Sequence, residues 1–162
     1  MFNIFKKDPS KDWEKSKIKD LILDLSTGSL NFIQFGDKPE KLSYFGKPDN
    51  KNPFEKKYFF YGQAGLIIGI EEGVIAYISV TMVDNSYEKL NAGSFHLKDF
   101  NGMIYYINRE TTVDTIEQIL GKPDEVYTHD EGVDQTFFRS KYQIEIEFDN
   151  DGKVVCFDIT LK

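Results

Sequence analysis

The feature that most constrains this chain is a four-residue phrase that occurs twice: Gly46-Lys47-Pro48-Asp49 returns as Gly121-Lys122-Pro123-Asp124. The surroundings echo as well. Gly28-Ser29-Leu30-Asn31-Phe32-Ile33 precedes the first copy, and Gly102-Met103-Ile104-Tyr105-Tyr106-Ile107 precedes the second. Phe59-Phe60, the alternating Leu66, Ile68 and Ile70, and Gly73 follow the first. Phe137-Phe138, the alternating Ile144, Ile146 and Phe148, and Gly152 follow the second. The offset drifts from 74 to 79 residues, as it would between two copies of one unit with small loop insertions.

Local grammar fills in each unit. Leu21 to Leu25 reads as a strand, Thr27-Gly28 as a turn, and Leu30 to Phe35 as a second strand. Pro39 suits a first helical turn, Leu42 and Phe45 give that helix an apolar stripe, and Gly46 closes it. Residues 49–54 read as loop. Tyr58 to Tyr61, Leu66 to Ile70 and Val74 to Thr81 read as strands, the last two joined by a turn at Glu71-Glu72-Gly73. A short strand at Ser94 to Leu97 is expected in the connection.

In the second unit Thr111 is placed to cap a helix with Asp114 as its acidic partner. Val113, Ile116 and Leu120, with Ile119, form the buried stripe. Two alternating strands close the chain. Ile144, Ile146 and Phe148 oppose Gln143, Glu145 and Glu147; Val155, Phe157, Ile159 and Leu161 oppose Val154, Cys156, Asp158 and Thr160. The fold class expected is α+β: tandem duplicated units, each a short helix layer packed on an antiparallel sheet, with an exposed polar sheet face. The organisation expected is a lead-in (1–19) that packs Trp13 on the body, a first repeat (20–82), and a second repeat with its connecting segment (83–162), all in one compact domain.

Charge narrows the function. The net charge is −7, with residues 1–81 at +1 and residues 82–162 at −8. Nucleic acid is disfavoured as a partner, because phosphate contacts need a basic face. An acidic half would steer a basic protein, or simply keep the chain soluble. No apolar run approaches a membrane span, so stable membrane insertion is not expected. The start, Met1-Phe2-Asn3-Ile4-Phe5-Lys6-Lys7, places its charges after a short apolar patch, the reverse of a secretory signal, and a single cysteine suits a reducing compartment. The expected location is the cytoplasm.

Catalytic and cofactor motifs are thin. His96 and His129 have no ligand-spaced partners, so zinc is not expected, and His129 reads as a solvated side chain. Glu147-x-Asp149-x-Asp151-Gly152 mimics a calcium loop, but its first position is wrong and strands flank it; a hairpin turn explains the same residues. Gly46-Lys47-Pro48-Asp49 lacks the grammar of a phosphate loop. No nucleophile elbow or Cys–His pairing is present, and Cys156 reads as structural. No cofactor, metal or catalytic residue is assigned.

The acids remain. Asp124, Glu125, Asp130, Glu131 and Asp134 read as one loop containing Tyr127, and Glu145, Glu147 and Asp158 fall on the solvent side of the neighbouring strands. They read either as a solvated surface or as a face for a basic protein, where carboxylates accept arginine and aromatics supply anchors.

The stretches Ile119 to Asp124 with Ile144 to Phe148, and Tyr44 to Asp49 with Leu66 to Ile70, resemble the repeat shared by β-lactamase inhibitor proteins and the SmpA/OmlA lipoprotein domain. The make-up as a whole is similar to bacterial immunity proteins, through Leu23 to Asn31, Phe35-Gly36-Asp37 and the Gly-Lys-Pro-Asp turn. The resemblance implies a non-catalytic protein that occludes a cognate toxin or effector, such as a nuclease, with an exposed sheet face and loops. The implied partner-binding residues are Asp124, Glu125, Tyr127, Asp130, Glu131, Asp134, Glu145 and Glu147. The alternative class is an envelope-assembly or scaffold domain of the SmpA/OmlA type. A hydrolase with a carboxylate site is a third.

Overall fold

The computed structural model describes residues 8–162; the apolar start from Met1 to Lys7 lies outside the described residues. The fold is α+β, mostly sheet with few helices, and it is built from two sheets. The larger sheet has seven antiparallel strands. β4 (Tyr58–Tyr61), β5 (Leu66–Glu71) and β6 (Val74–Thr81) come from the first half of the chain. β9 (Glu125–His129), β10 (Gly132–Phe138), β11 (Tyr142–Asp149) and β12 (Val154–Leu161) come from the second. The strand order is β4-β5-β6-β12-β11-β10-β9, so the halves meet along one seam between β6 and β12.

The smaller sheet contains β1 (Ile22–Asp24), β2 (Ser29–Leu30), β3 (Ile33–Gln34), β7 (Phe95–Lys98) and β8 (Ile104–Ile107), in the order β3-β2-β1-β7-β8. Its β1–β7 pair is parallel. Two short α-helices complete the elements, α1 (Pro53–Lys56) and α2 (Val113–Leu120), together with 3-10 turns that include Pro39–Tyr44.

The alternation in β5, β11 and β12 does what a period of two dictates: one face of the large sheet is buried and the other is not. Phe59, Tyr61, Leu66, Ile68, Ile78, Val80, Ile144, Ile146, Phe148, Phe157 and Ile159 are all buried on the inner face. A helix layer was expected to cover them, yet most of the cover is the smaller sheet. Phe95 of β7 meets Phe157 edge-on at 5.0 Å, and Leu23, Leu30 and Leu97 join the same core. Helices contribute less: Ile116 and Leu120 of α2 and Leu42 of the 3-10 turn are buried in the core, with Phe54 of α1 and Val113 and Ile119 of α2 packed against it. The lead-in packs as expected, with Trp13 against Phe54 and Phe59 at 5.8 and 6.1 Å.

Several local readings are corrected. Leu30 to Phe35 is not continuous: Asn31 adopts φ 55, and its side chain accepts from Ile22 N at 2.8 Å and donates to Asp20 O at 3.0 Å, breaking the run into β2 and β3. The stretch read as loop at 49–54 contains the start of α1. The cap of α2 is Thr112, whose hydroxyl accepts from Thr115 N; the Thr111 hydroxyl is engaged by Asn108 N instead. In β12, Val154 takes the buried position expected for Val155, because the β11–β12 ladder slips by one residue after Glu147.

The repeated Gly-Lys-Pro-Asp phrases perform one task. Asp49 N donates to Phe60 O at 2.7 Å, and the Asp49 carboxylate accepts from Gly62 N at 2.6 Å. Asp124 N donates to Thr136 O at 2.8 Å, and its carboxylate accepts from Phe138 N at 2.6 Å. Asp49 pins its turn to β4 and the residue after it, and Asp124 pins its turn to β10, the strands that pair with β5 and β11 respectively. Ladder register shows which aromatics correspond: Leu66 pairs with Tyr61 and Ile144 pairs with Phe137. Phe59-Phe60 is therefore offset by two positions from the slot of Phe137-Phe138.

Candidate functional site

The outer face of the seven-stranded sheet can be read as rows that cross the strands. One row runs Phe60, Ile67, Ser79, Asp158, Glu145, Thr136, Glu125. A flanking row runs Thr81, Cys156, Glu147, Asp134, Tyr127, and the other begins Tyr58, Gly69, Tyr77, Thr160. The central row changes character near the β6–β12 seam, from Phe60 and Ile67 on β4 and β5 to Asp158, Glu145 and Glu125 on β12, β11 and β9. The Thr81 row turns acidic at Glu147 and Asp134, whereas the Tyr58 row continues into Gln143 and Phe138 without an acid.

On the acidic side Tyr127, Asp134, Thr136, Glu145, Glu147, Cys156 and Asp158 line an open furrow of about 360 Å³. Two carboxylate pairs face one another directly across neighbouring strands, Asp134 with Glu147 and Glu145 with Asp158. Like charges placed so are unfavourable. Burial, and then Asp134, push the Glu147 carboxyl above its ordinary range, and burial does the same to Asp158 against hydrogen bonds from Ser79, Cys156 and Tyr77. Among the described residues no Lys or Arg forms an ion pair with Glu145, Glu147 or Asp158.

At the seam the Cys156 thiol lies 3.3 Å from the Ser79 hydroxyl and donates to Asp158 at 3.3 Å. Burial, and then the charge of Asp158, push this thiol up to about 12, so at neutral pH it is a hydrogen-bond donor and not a nucleophile. A second hollow of about 370 Å³ reaches from the other side of the seam to Thr160, lined by the aromatic and apolar Tyr58, Phe60, Ile67, Gly69, Ile70 and Tyr77 together with Glu71 and Glu88. Gly69 makes room for it: a Cβ there would stand 3.0 Å from the Tyr77 side chain.

Four of the eight residues expected at the site, Tyr127, Asp134, Glu145 and Glu147, come together in the furrow. Glu125 lies at the end of the row that carries Glu145. The segment read as an acidic loop is a hairpin of β9 and β10, with Asp130 and Glu131 at its tip, because Val126, Thr128 and Val133 continue the alternation through the acids. Asp124 is occupied by the fold: besides Phe138 N, it accepts from Arg139 at 3.2 Å. His129 is not simply solvated; its ring nitrogen lies 3.3 Å from the Asp134 carboxylate. Asp158 was read from the sequence as solvent-facing but not placed among the partner-binding residues, and Ser79 and the aromatic hollow were not singled out. The outward setting of Tyr77 and Ser79 was readable from alternation, but the pairing of β6 with β12 has no local signal.

Among the described residues no group of three or more His, Cys, Asp or Glu side chains is arranged to hold a metal ion, and no helix is long and apolar enough to cross a membrane. No protein-family model and no curated protein matches the chain. Among solved structures it is similar to a DUF4309 family protein (YjgB) from Bacillus subtilis, at 14% sequence identity and a TM-score of 0.50, over 82% of this chain and 84% of that one. At that identity the likeness concerns the fold alone.

Proposed function

We propose that the chain is a non-catalytic binding protein of the immunity class, which neutralises a cognate bacterial toxin by occluding it with the outer face of the large sheet. The observation that carries this is the acidic half of that face. It presents opposed carboxylates that, among the described residues, have no Lys or Arg partner at Glu145, Glu147 or Asp158, which is a poor way to stabilise a sheet and a good way to receive a basic surface. A toxin that acts on nucleic acid carries such a surface where it holds phosphates. The cytoplasm is the proposed location.

The tandem duplication belongs to the same reading. It is supported by the matching bonds of Asp49 and Asp124, and by Ser79 facing Asp158 across the seam at the 79-residue offset that also separates Gly73 from Gly152.

The test is to use the tagged chain as bait in its native host, then purify any stoichiometric partner and assay it. The expected result is a partner whose toxic activity is abolished by an equimolar amount of this chain. A partner that keeps full activity when saturated, or none retained while toxins are being expressed, would overturn the proposal.

A further inference from the structure

The outer face has two unlike halves, and their arrangement specifies more than a negative surface would. We infer that its occupant is an extended basic segment of a partner protein, with arginine side chains in the Glu145–Glu147 furrow and an aromatic or large apolar side chain on the Tyr58–Tyr77 hollow. This rests on reading the face as a docking surface, but not on the partner being a toxin.

The argument is one of complementarity. Glu147 opposes Asp134 and Glu145 opposes Asp158, so the furrow offers paired acceptors at neighbouring positions, the arrangement a planar guanidinium fork can bridge. A cation placed between opposed carboxylates also relieves their repulsion, which gives the occupied state an advantage that neutral ligands do not share. Tyr127, 67% exposed beside the furrow, adds a ring face on which a guanidinium can stack.

The hollow on the far side of the seam is lined by Phe60, Ile67 and Tyr77 with Glu71 and Glu88 beside them, and Tyr58 stays 49% exposed there. It suits an apolar anchor. From β5 to β11 is three strand spacings, roughly 14 Å, which an extended segment crosses in about four residues. The occupant therefore carries its anchor about four residues from its arginines.

The probe is a synthetic peptide with two arginines and a tryptophan four residues away, titrated by calorimetry and by amide chemical shifts. Its controls are the same peptide with lysines for arginines and one with the tryptophan moved next to the arginines. The expected result is binding that weakens with salt and prefers arginine and the wider spacing, with shifts at Glu145, Glu147 and Tyr77.

A Glu145→Gln/Glu147→Gln variant is expected to fold, to melt no lower than the parent, and to bind about tenfold or more weakly. Equal binding of all three peptides, shifts confined to Asp130 and Glu131, or unchanged affinity in the double variant would each overturn the inference. The two proposals fail separately. Peptide recognition without a toxin partner removes only the toxin. A captured toxin whose affinity ignores the double variant removes only the furrow.

Discussion

At the scale of single residues, identical side-chain types do opposite work. Asp124 and Asp49 hold backbone amides, whereas Glu147 and Asp158 face other acids. Asp124→Ala removes a charge-assisted acceptor from Phe138 N and from Arg139, so it is expected to cost about 1–3 kcal/mol in urea denaturation. Asp49→Ala is expected to cost a similar amount through Gly62 N. Glu147→Gln moves the other way. At neutral pH it removes one charge of a facing pair and is expected to add roughly 0.5–1 kcal/mol. That gain fades as the pH falls through the raised value of Glu147, because the parent then takes up a proton and loses the same repulsion. A Glu147→Gln protein less stable than its parent at neutral pH would show that the carboxylate is a structural ligand.

At the scale of elements, legibility followed distance in sequence. β4 and β6 were readable to the residue because turns and alternation are local signals. The β9–β10 hairpin was hidden by its composition: five acids look like a solvated loop, although every residue from Glu125 to His129 is in register with β10. The small sheet was hidden by its connectivity, since β1 pairs in parallel with β7 and Leu23 meets Leu97, which no local pattern announces. The furrow was therefore only half legible: its acids could be named, but the seam that sets Ser79 against Asp158 could not. Gly132 tests the hairpin as a unit. A Cβ there would fall 1.8 Å from Phe148 O, so Gly132→Ala is expected to pry the start of β10 from β11 at a cost of about 3 kcal/mol. Hydrogen exchange should localise the loss to β9 and β10, and fast exchange throughout the large sheet would contradict that hairpin's role as a separable edge.

For the whole molecule, the two kinds of carboxylate set opposite pH limbs. Burial alone would raise Asp24, but the Lys98 ammonium at 2.8 Å and bonds from Ser26 and Thr27 outweigh it and bring it down to about 2. Asp37 is likewise lowered, its burial outweighed by Lys41 and Gln34 N. Their stabilisation is present above the ordinary carboxylate range and is lost as pH falls towards the depressed values; for Asp24 this is roughly 1–2 kcal/mol. Glu147 and Asp158 are raised, so stability falls as pH climbs from the ordinary range through their higher values. Urea midpoints measured from about pH 2 to pH 8 should peak in mild acid. The alkaline side of that peak should flatten in Glu147→Gln, and a curve still rising up to neutrality would refute the assignment.

The inside–outside alternation along β11 and its neighbours has a consequence for descent. The letters that decide the fold and the letters that would decide a partner interleave along the same strands, yet they never share a position. Offspring sequences can rewrite Glu145, Glu147 or Tyr127 without disturbing Ile144, Ile146 or Phe148. The seam further divides the writable letters into two blocks, one on β4–β6 and one on β9–β12. A lineage pressed by a changing adversary can thus edit one block while the other keeps its grip, and recognition can drift in halves while the architecture is inherited whole.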